Sequence, residues 1–180
     1  MVNTELIIIG AGPGGYETAI SAAHEGVQTV LIEVAALGGT CLNEGCIPTK
    51  CLCRNAEVLD EVRAAAQFGI TTGEVHFDLA AAMQRKREVV ETLKGGIQTL
   101  LKSPLITLVE GQAHFVGPHT VAVGEEQYTA PHIIIATGSE AKLLPVPGAE
   151  CEGVVTAREM LSLEQLPKRL CVVGGGVVGL

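Results

Sequence analysis

Apolar residues fall along this chain first as short unbroken runs and then as helical stripes. Leu6–Ile9 is apolar at every position and stops at Gly10, the pattern of a strand buried on both faces of a parallel sheet. From Gly14 to Gly26, the residues Ala19, Ile20, Ala22 and Ala23 recur at helical spacing, and Gly26 supplies a C-terminal stop. Val27–Glu33 then predicts a second strand. Strand, helix and strand within about thirty residues make one βαβ unit, the nucleus of a doubly wound α/β fold.

Leu37–Pro48 reads as a loop rich in glycine and cysteine, and helix formers fill Thr49–Gln67 until Gly69, with the helix starting near Cys46. Asp78 suits the N-cap of a further helix whose apolar stripe is Leu79, Met83, Val90, Leu93, Ile97 and Leu100, and Ser103-Pro104 ends it. Leu105–Glu110, Ala113–Val116, Thr120–Val123 and Gln127–Thr129 alternate strand formers with Gly/Pro turns and predict a small antiparallel β-meander. Ile133–Ala136 returns to a buried strand. Leu143–Gly148 holds two prolines and a glycine, so it is the best linker, and it places a domain boundary near residue 148. Beyond it, Cys171, Val172 and Val173 repeat the opening pattern of an apolar strand running into glycines.

Composition narrows the function. Hydrophobic residues are 47% of the 180 and charged residues only 18%, which excludes a disordered chain. A net charge of -8 offers phosphate backbones no electropositive footprint, so no nucleic acid partner is expected. No apolar run approaches the ~20 residues of a membrane span, and Met1–Glu5 lacks a signal-peptide start, so no membrane contact and a cytoplasmic location are expected. Six cysteines without an export signal point to cysteine chemistry rather than to a disulfide scaffold.

Two motifs carry that chemistry. Gly10-Ala11-Gly12-Pro13-Gly14-Gly15 fits G-x-G-x-x-G between a predicted strand and helix, where glycines let a pyrophosphate approach the helix N-terminus. Glu33 ends the next strand, where a carboxylate can bind ribose hydroxyls. The bland alternative is a structural glycine turn. In Gly38-Gly39-Thr40-Cys41-Leu42-Asn43-Glu44-Gly45-Cys46-Ile47-Pro48-Thr49-Lys50, a helix start can bring Cys41 and Cys46 into disulfide range and lower a thiol pKa. Two buried thiols or a zinc pair are the alternatives; neither accounts for the glycines, and zinc's C-x-x-C pairs are absent, so no metal is expected.

GGTCLNEGCIPTK resembles the active-site signature of the flavin-dependent pyridine nucleotide disulfide oxidoreductases, and its CLNxGCIP core is most similar to the dihydrolipoamide dehydrogenases of that family. GAGPGGYETAI, EGQAHF at 110–115, IIIATGS at 133–139 and VVGGGVVGL resemble the family's other landmarks in order, so the likeness covers nearly the whole chain. The resemblance implies a Rossmann-like FAD/NAD(P)-binding α/β fold, with a central parallel sheet, helices and a small antiparallel β-meander. Residues 1–148 would be the first part of an FAD-binding domain, and 149–180 the truncated start of an NAD-binding domain.

Carried over by motif, Cys41 would exchange with a dithiol substrate and Cys46 would face the flavin. Lys50 would stand by the isoalloxazine ring; otherwise it is a solvated helix lysine. Gly10, Gly12, Gly14 and Gly15 would form the FAD pyrophosphate loop, Glu33 would hold the adenosine ribose, and Gly39 and Thr40 would line the cofactor. Gly111 and Ala113 would contact the adenine and Thr137, Gly138 and Ser139 would close on FAD, unless both are ordinary strand-end turns. Gly174, Gly176 and Gly179 would cradle the NAD pyrophosphate. Cys51 and Cys53 depart from the family pattern and are expected to be packed free thiols, with Cys151 and Cys171 structural. His24, His76, His114, His119 and His132 lie in no catalytic motif, and the resemblance implies that the family's acid-base pair is to be expected in a C-terminal interface domain outside these 180 residues.

The activity implied is oxidation of dihydrolipoamide, with electrons passing through the Cys41/Cys46 disulfide and FAD to NAD. The implied partners are lipoyl domains of 2-oxo-acid dehydrogenase or glycine cleavage complexes, and a second copy in a homodimer. The chain by itself is expected not to sustain turnover. Mercuric or glutathione reductase chemistry, or a non-catalytic flavin-binding or assembly module, are the competing readings.

Overall fold

In the computed structural model, which describes residues 1–179, a two-residue strand β1 (Val2–Asn3) precedes the expected unit of β2 (Leu6–Ile9), α1 (Pro13–His24) and β3 (Thr29–Glu33). β2 and β3 pair in parallel, from Leu6 opposite Thr29 to Ile9 opposite Ile32. Ile7, Ile8, Leu31 and Ile32 are almost fully buried, as an unbroken apolar run requires when both sheet faces are covered. α1 opens on Pro13, whose fixed φ suits a first helical turn and whose missing N–H would have no intrahelical partner there.

The next segment differs from expectation. Leu37–Pro48 is not all loop: it contains α2 (Gly39–Glu44), while α3 (Cys46–Ala64) starts at Cys46 as expected. Leu42 anchors the short helix, since its side chain is buried and its N–H donates to the Gly38 carbonyl at 3.3 Å. α3 continues into a single 3₁₀ turn, Ala65–Phe68, before Gly69. The Asp78 carboxylate accepts the Ala81 N–H at 3.1 Å and so caps α4 (Leu79–Leu100) as expected. On α4 Met83, Val90 and Ile97 are buried, but Leu93 is 42% and Leu100 60% exposed; Lys86, and Leu101 just past the helix end, occupy buried positions instead. The Lys86 ammonium donates to the Leu161 carbonyl at 2.6 Å, and burial holds its pKa below the ordinary lysine value.

The parallel sheet runs β4-β3-β2-β8, with β4 (Ile106–Glu110) and β8 (His132–Ile135) at its edges. The strand expected at Leu105–Glu110 therefore belongs to this sheet and not to the meander. It arrives after the helix α4, and such a crossover delivers a strand parallel to its neighbour. Paired only with β3, it is an edge strand, with Leu108 exposed. β8 is parallel to β2 but, paired on one side only, is not the buried strand expected: Ile135 is 65% exposed.

The meander is β5 (Ala113–Gly117), β6 (Thr120–Val123) and β7 (Glu126–Thr129), antiparallel, extended by β1 lying parallel to β7. Ile7, Val30 and Ile32 from the parallel sheet pack with Val121, Tyr128 and Ala130, forming a core between sheet and meander. The buried Tyr128 hydroxyl donates to the Glu126 carboxylate, and this bond, with burial, pushes the phenol up to about 12.

The chain forms two compact units, Met1–Asn43 with Glu91–Ser139, and Glu44–Val90 with the stretch from Glu140 onward. Both sheets belong to the first. The second contains α3, the start of α4 and a short α5 (Ala157–Met160), whose Thr156 and Glu159 form a reciprocal capping box. Leu143–Gly148 has no regular structure. Cys171–Val173 forms no strand, contrary to its apolar pattern: no neighbour pairs with it among the described residues, and Val172 and Val173 are exposed. No helix among the described residues is long and apolar enough to cross a membrane.

Candidate functional site: a glycine loop beside a disulfide

The carboxyl end of β2 turns into α1 through two glycines that tolerate no side chain. Gly10 takes φ +101°, and a methyl there would lie 2.3 Å from the Ala136 carbonyl oxygen; one at Gly15 would lie 1.7 Å from the Gly10 carbonyl oxygen. Gly12 and Gly14 have a different use. A methyl at Gly12 would meet only Gly39 Cα at 3.7 Å, and one at Gly14 only the Ala136 methyl at 4.0 Å, so both leave space in front of the helix. Gly12 is the N-cap of the 12-residue α1, which has no side-chain cap bond and no acid in its first turn. The positive end of the helix dipole thus faces that space with no acid of the helix's own first turn competing for it, which fits the pyrophosphate of a dinucleotide.

Neighbouring strand ends converge on the same edge, where open α/β sheets bind ligands. The Glu33 carboxylate, at the end of β3, accepts the Ala11 N–H at 2.6 Å and the Ala35 N–H at 2.8 Å, so it ties the glycine loop to its neighbouring strand. After β4, Gly111 donates its N–H to the Glu33 carbonyl at 2.8 Å, and Ala113 begins β5. After β8, the Ala136 N–H donates to the Ile9 carbonyl at 2.8 Å, which brings Thr137 beside Gly10, with Gly138 and Ser139 following exposed. Gly10–Gly15, Glu33, Gly111 and Thr137 are therefore brought together.

Cys41, half-buried on α2, and Cys46, the exposed first residue of α3, are disulfide-bonded. The other four cysteines are free. Cys51 is buried as expected of a packed thiol, but Cys53 is exposed because it stands on the solvent side of α3. Cys151 and Cys171, expected to be structural, are exposed and unbonded in segments without helix or strand.

The turn leading to Cys41 touches the glycine loop backbone to backbone. The Gly38 N–H donates to the Ala11 carbonyl at 2.9 Å, and a methyl at Gly39 would lie 2.7 Å from Gly12 Cα. Thr40 is exposed at the start of α2. Asn43 escaped the sequence reading: its Nδ2 donates to the carbonyls of Leu37 at 3.0 Å and Gly39 at 2.9 Å. The only signal for it was a lone amide between two cysteines and behind two glycines.

In the second unit, Lys50 is exposed on α3. Gly174, Gly176 and Gly179 form a loop with the first loop's geometry: Gly174 has φ +113°, and a methyl at Gly179 would lie 2.1 Å from the Gly174 carbonyl oxygen. No cluster among the described residues could hold a metal ion.

The sequence profile described as "Pyridine nucleotide-disulphide oxidoreductase" matches residues 4–180. The chain belongs to this family. Among curated relatives, the dihydrolipoyl dehydrogenase of Chlorobaculum tepidum is 43% identical over 97% of the chain and 38% of its own length. That of Bacillus subtilis is 42% identical over 97% of the chain and 39% of its own. Among solved structures, the Cu(II) complex of the HOCl-induced flavoprotein disulfide reductase RclA from Escherichia coli superposes with a TM-score of 0.80 at 34% identity, covering 99% of this chain and 38% of that one. The chain thus spans about two-fifths of the length of these relatives. The α/β fold, and the FAD and pyridine nucleotide expected from the resemblance, agree with the family and with these flavoprotein and dihydrolipoyl dehydrogenase relatives.

Proposed function

We propose that this oxidoreductase accepts electrons from dihydrolipoamide through the Cys41–Cys46 disulfide and delivers them by way of FAD to NAD. The observation that carries the reading is the placement of Cys46 at the first position of the 19-residue α3, which has no side-chain cap bond and no acid in its first turn. A thiolate released there is favoured by the helix dipole and by the free N–H groups of the first turn, so Cys46 is the better leaving group. Cys41 is then the sulfur attacked. A substrate thiolate attacks Cys41 Sγ, and the disulfide opens with Cys46 leaving as thiolate. The substrate's second thiol closes on the mixed disulfide and expels Cys41, giving cyclic lipoamide and a protein dithiol, with two electrons transferred.

Gly12, Gly14 and the α1 N-terminus would hold the FAD pyrophosphate, Glu33 its ribose, Gly39 and Thr40 its edge beside the disulfide, and Lys50 the isoalloxazine. Gly111 and Ala113 would contact the adenine, and Thr137–Ser139 would close on FAD. When bound, FAD supplies a two-electron acceptor between the dithiol and NAD. Residues 1–148 are read as the first part of the FAD-binding domain, and 149–180 as the start of the NAD-binding domain carrying Gly174, Gly176 and Gly179. The partners proposed are lipoyl domains in the cytoplasm, with homodimerisation through the remaining parts of a full-length protein. Support for lipoamide over glutathione or mercuric ion comes from relatives named as dihydrolipoyl dehydrogenases at 43% and 42% identity.

The test is to mix the full chain anaerobically with dihydrolipoamide or with reduced glutathione at equal thiol concentration, and to follow alkylation of Cys41 and Cys46 by mass spectrometry. Dihydrolipoamide is expected to open the disulfide at least tenfold faster, because its second thiol resolves the mixed disulfide intramolecularly. Equal rates for the two thiols would remove the lipoamide assignment.

A further inference from the structure

We infer that Asn43 is a positioning residue that keeps the disulfide turn in register with the glycine loop and thereby sets how readily the disulfide is reduced. The inference rests on the disulfide being the redox centre proposed above. Asn43 lies between the two cysteines in sequence, and its side-chain nitrogen bonds backbone: Nδ2 donates to the carbonyls of Leu37 at 3.0 Å and Gly39 at 2.9 Å. Those carbonyls flank Gly38, whose own N–H is bonded to the Ala11 carbonyl, and Gly39 is the residue pressed against Gly12. Ala11 is held from its other side by the Glu33 carboxylate at 2.6 Å. A continuous line of contacts therefore runs from the end of β3 through the glycine loop to the turn that carries Cys41, and Asn43 closes its last link.

These bonds are made with the disulfide closed. Reduction lets the two sulfurs part from bonding distance to van der Waals contact, and bonds that fix residues 37–43 hold Cys41 in the position it has in the closed form, which favours that form. A residue that merely stabilised the fold would support both redox forms equally and leave the thiol–disulfide equilibrium unmoved.

The full chain is equilibrated in glutathione redox buffers, and the closed fraction is counted by alkylation for the wild type, Asn43→Asp and Asn43→Ser. Asn43→Asp keeps the shape but sets a carboxylate against two carbonyls; it is expected to shift the midpoint about tenfold toward the dithiol, the scale of losing one to two hydrogen bonds in one redox form. Asn43→Ser retains one donor and is expected to shift it less. Val121→Ala, in the core remote from the turn, lowers stability and is expected to leave the midpoint in place. An unchanged midpoint in Asn43→Asp, or an equal shift in Val121→Ala, would overturn the inference. FAD affinity, measured on the same proteins, separates the two claims: a wild type that binds no FAD fails the functional proposal, while the midpoint still decides the role of Asn43.

Discussion

The two glycine loops of this chain have nearly the same backbone and very different surroundings. In each, the first glycine has a positive φ, and the last comes so close to the first glycine's carbonyl oxygen that no side chain fits. The N–H of Gly15 donates to Gly12 at 2.9 Å, and that of Gly179 to Gly176 at 3.0 Å. The first loop follows a buried strand, opens a helix, and is gripped by Glu33 and Gly38. The second follows exposed valines that form no strand. Loop geometry is thus written locally in glycine spacing, whereas a binding site also needs the strand, helix and carboxylate that hold the loop in place.

The largest effect that would sharpen this contrast is expected from Gly15→Ala. Its methyl collides with a backbone oxygen that the buried sheet cannot move, so urea unfolding should register a loss on the order of 3 kcal/mol. A loss under about 1 kcal/mol would mean that the first loop is not rigidly held. Glu33→Gln comes next: one amide oxygen replaces a carboxylate that serves two N–H donors, and roughly 1–2 kcal/mol should be lost in the same assay.

The core beneath the first loop adds a pH signature. Unfolded tyrosine ionises near 10 and Tyr128 in the fold at about 12, so the unfolded chain loses the proton first. Stability should fall as pH rises from about 10 towards 12, by about 1 kcal/mol at pH 11, and level off above both values. Glu126→Gln should flatten that slope. The smallest effect is expected from Gly179→Ala: the clash is similar, but the surroundings can yield, and the change should stay within about 0.5 kcal/mol. A loss equal to that of Gly15→Ala would erase the distinction between the loops.

The elements legible in the sequence were those with strong local signals. Leu6–Ile9, Gly10 and Gly26 announce the βαβ unit, and Asp78 announces α4. Strand formers bounded by turn residues mark Ile106–Glu110 as a strand but do not say which sheet it joins; only pairing with β3 decides that. Ile133–Ala136 and Cys171–Val173 looked buried because apolar runs carry no record of whether a neighbour covers them. Cys41 and Cys46 were readable from their spacing, and Asn43 was not, because its partners are backbone carbonyls that any sequence possesses.

The most direct measurement is equilibrium binding of FAD to the full chain and to two variants, Gly12→Ala and Gly176→Ala. At both sites the added methyl meets no backbone clash: it is 3.7 Å from Gly39 Cα at Gly12 and has nothing within 4 Å at Gly176. Wild type and Gly176→Ala should bind one FAD with equal affinity, while Gly12→Ala, whose methyl fills the space before α1, should bind at least tenfold more weakly with an unchanged melting temperature. Equal binding by both variants, or no saturable binding by the wild type, would contradict the assignment of the first glycine loop as the flavin site.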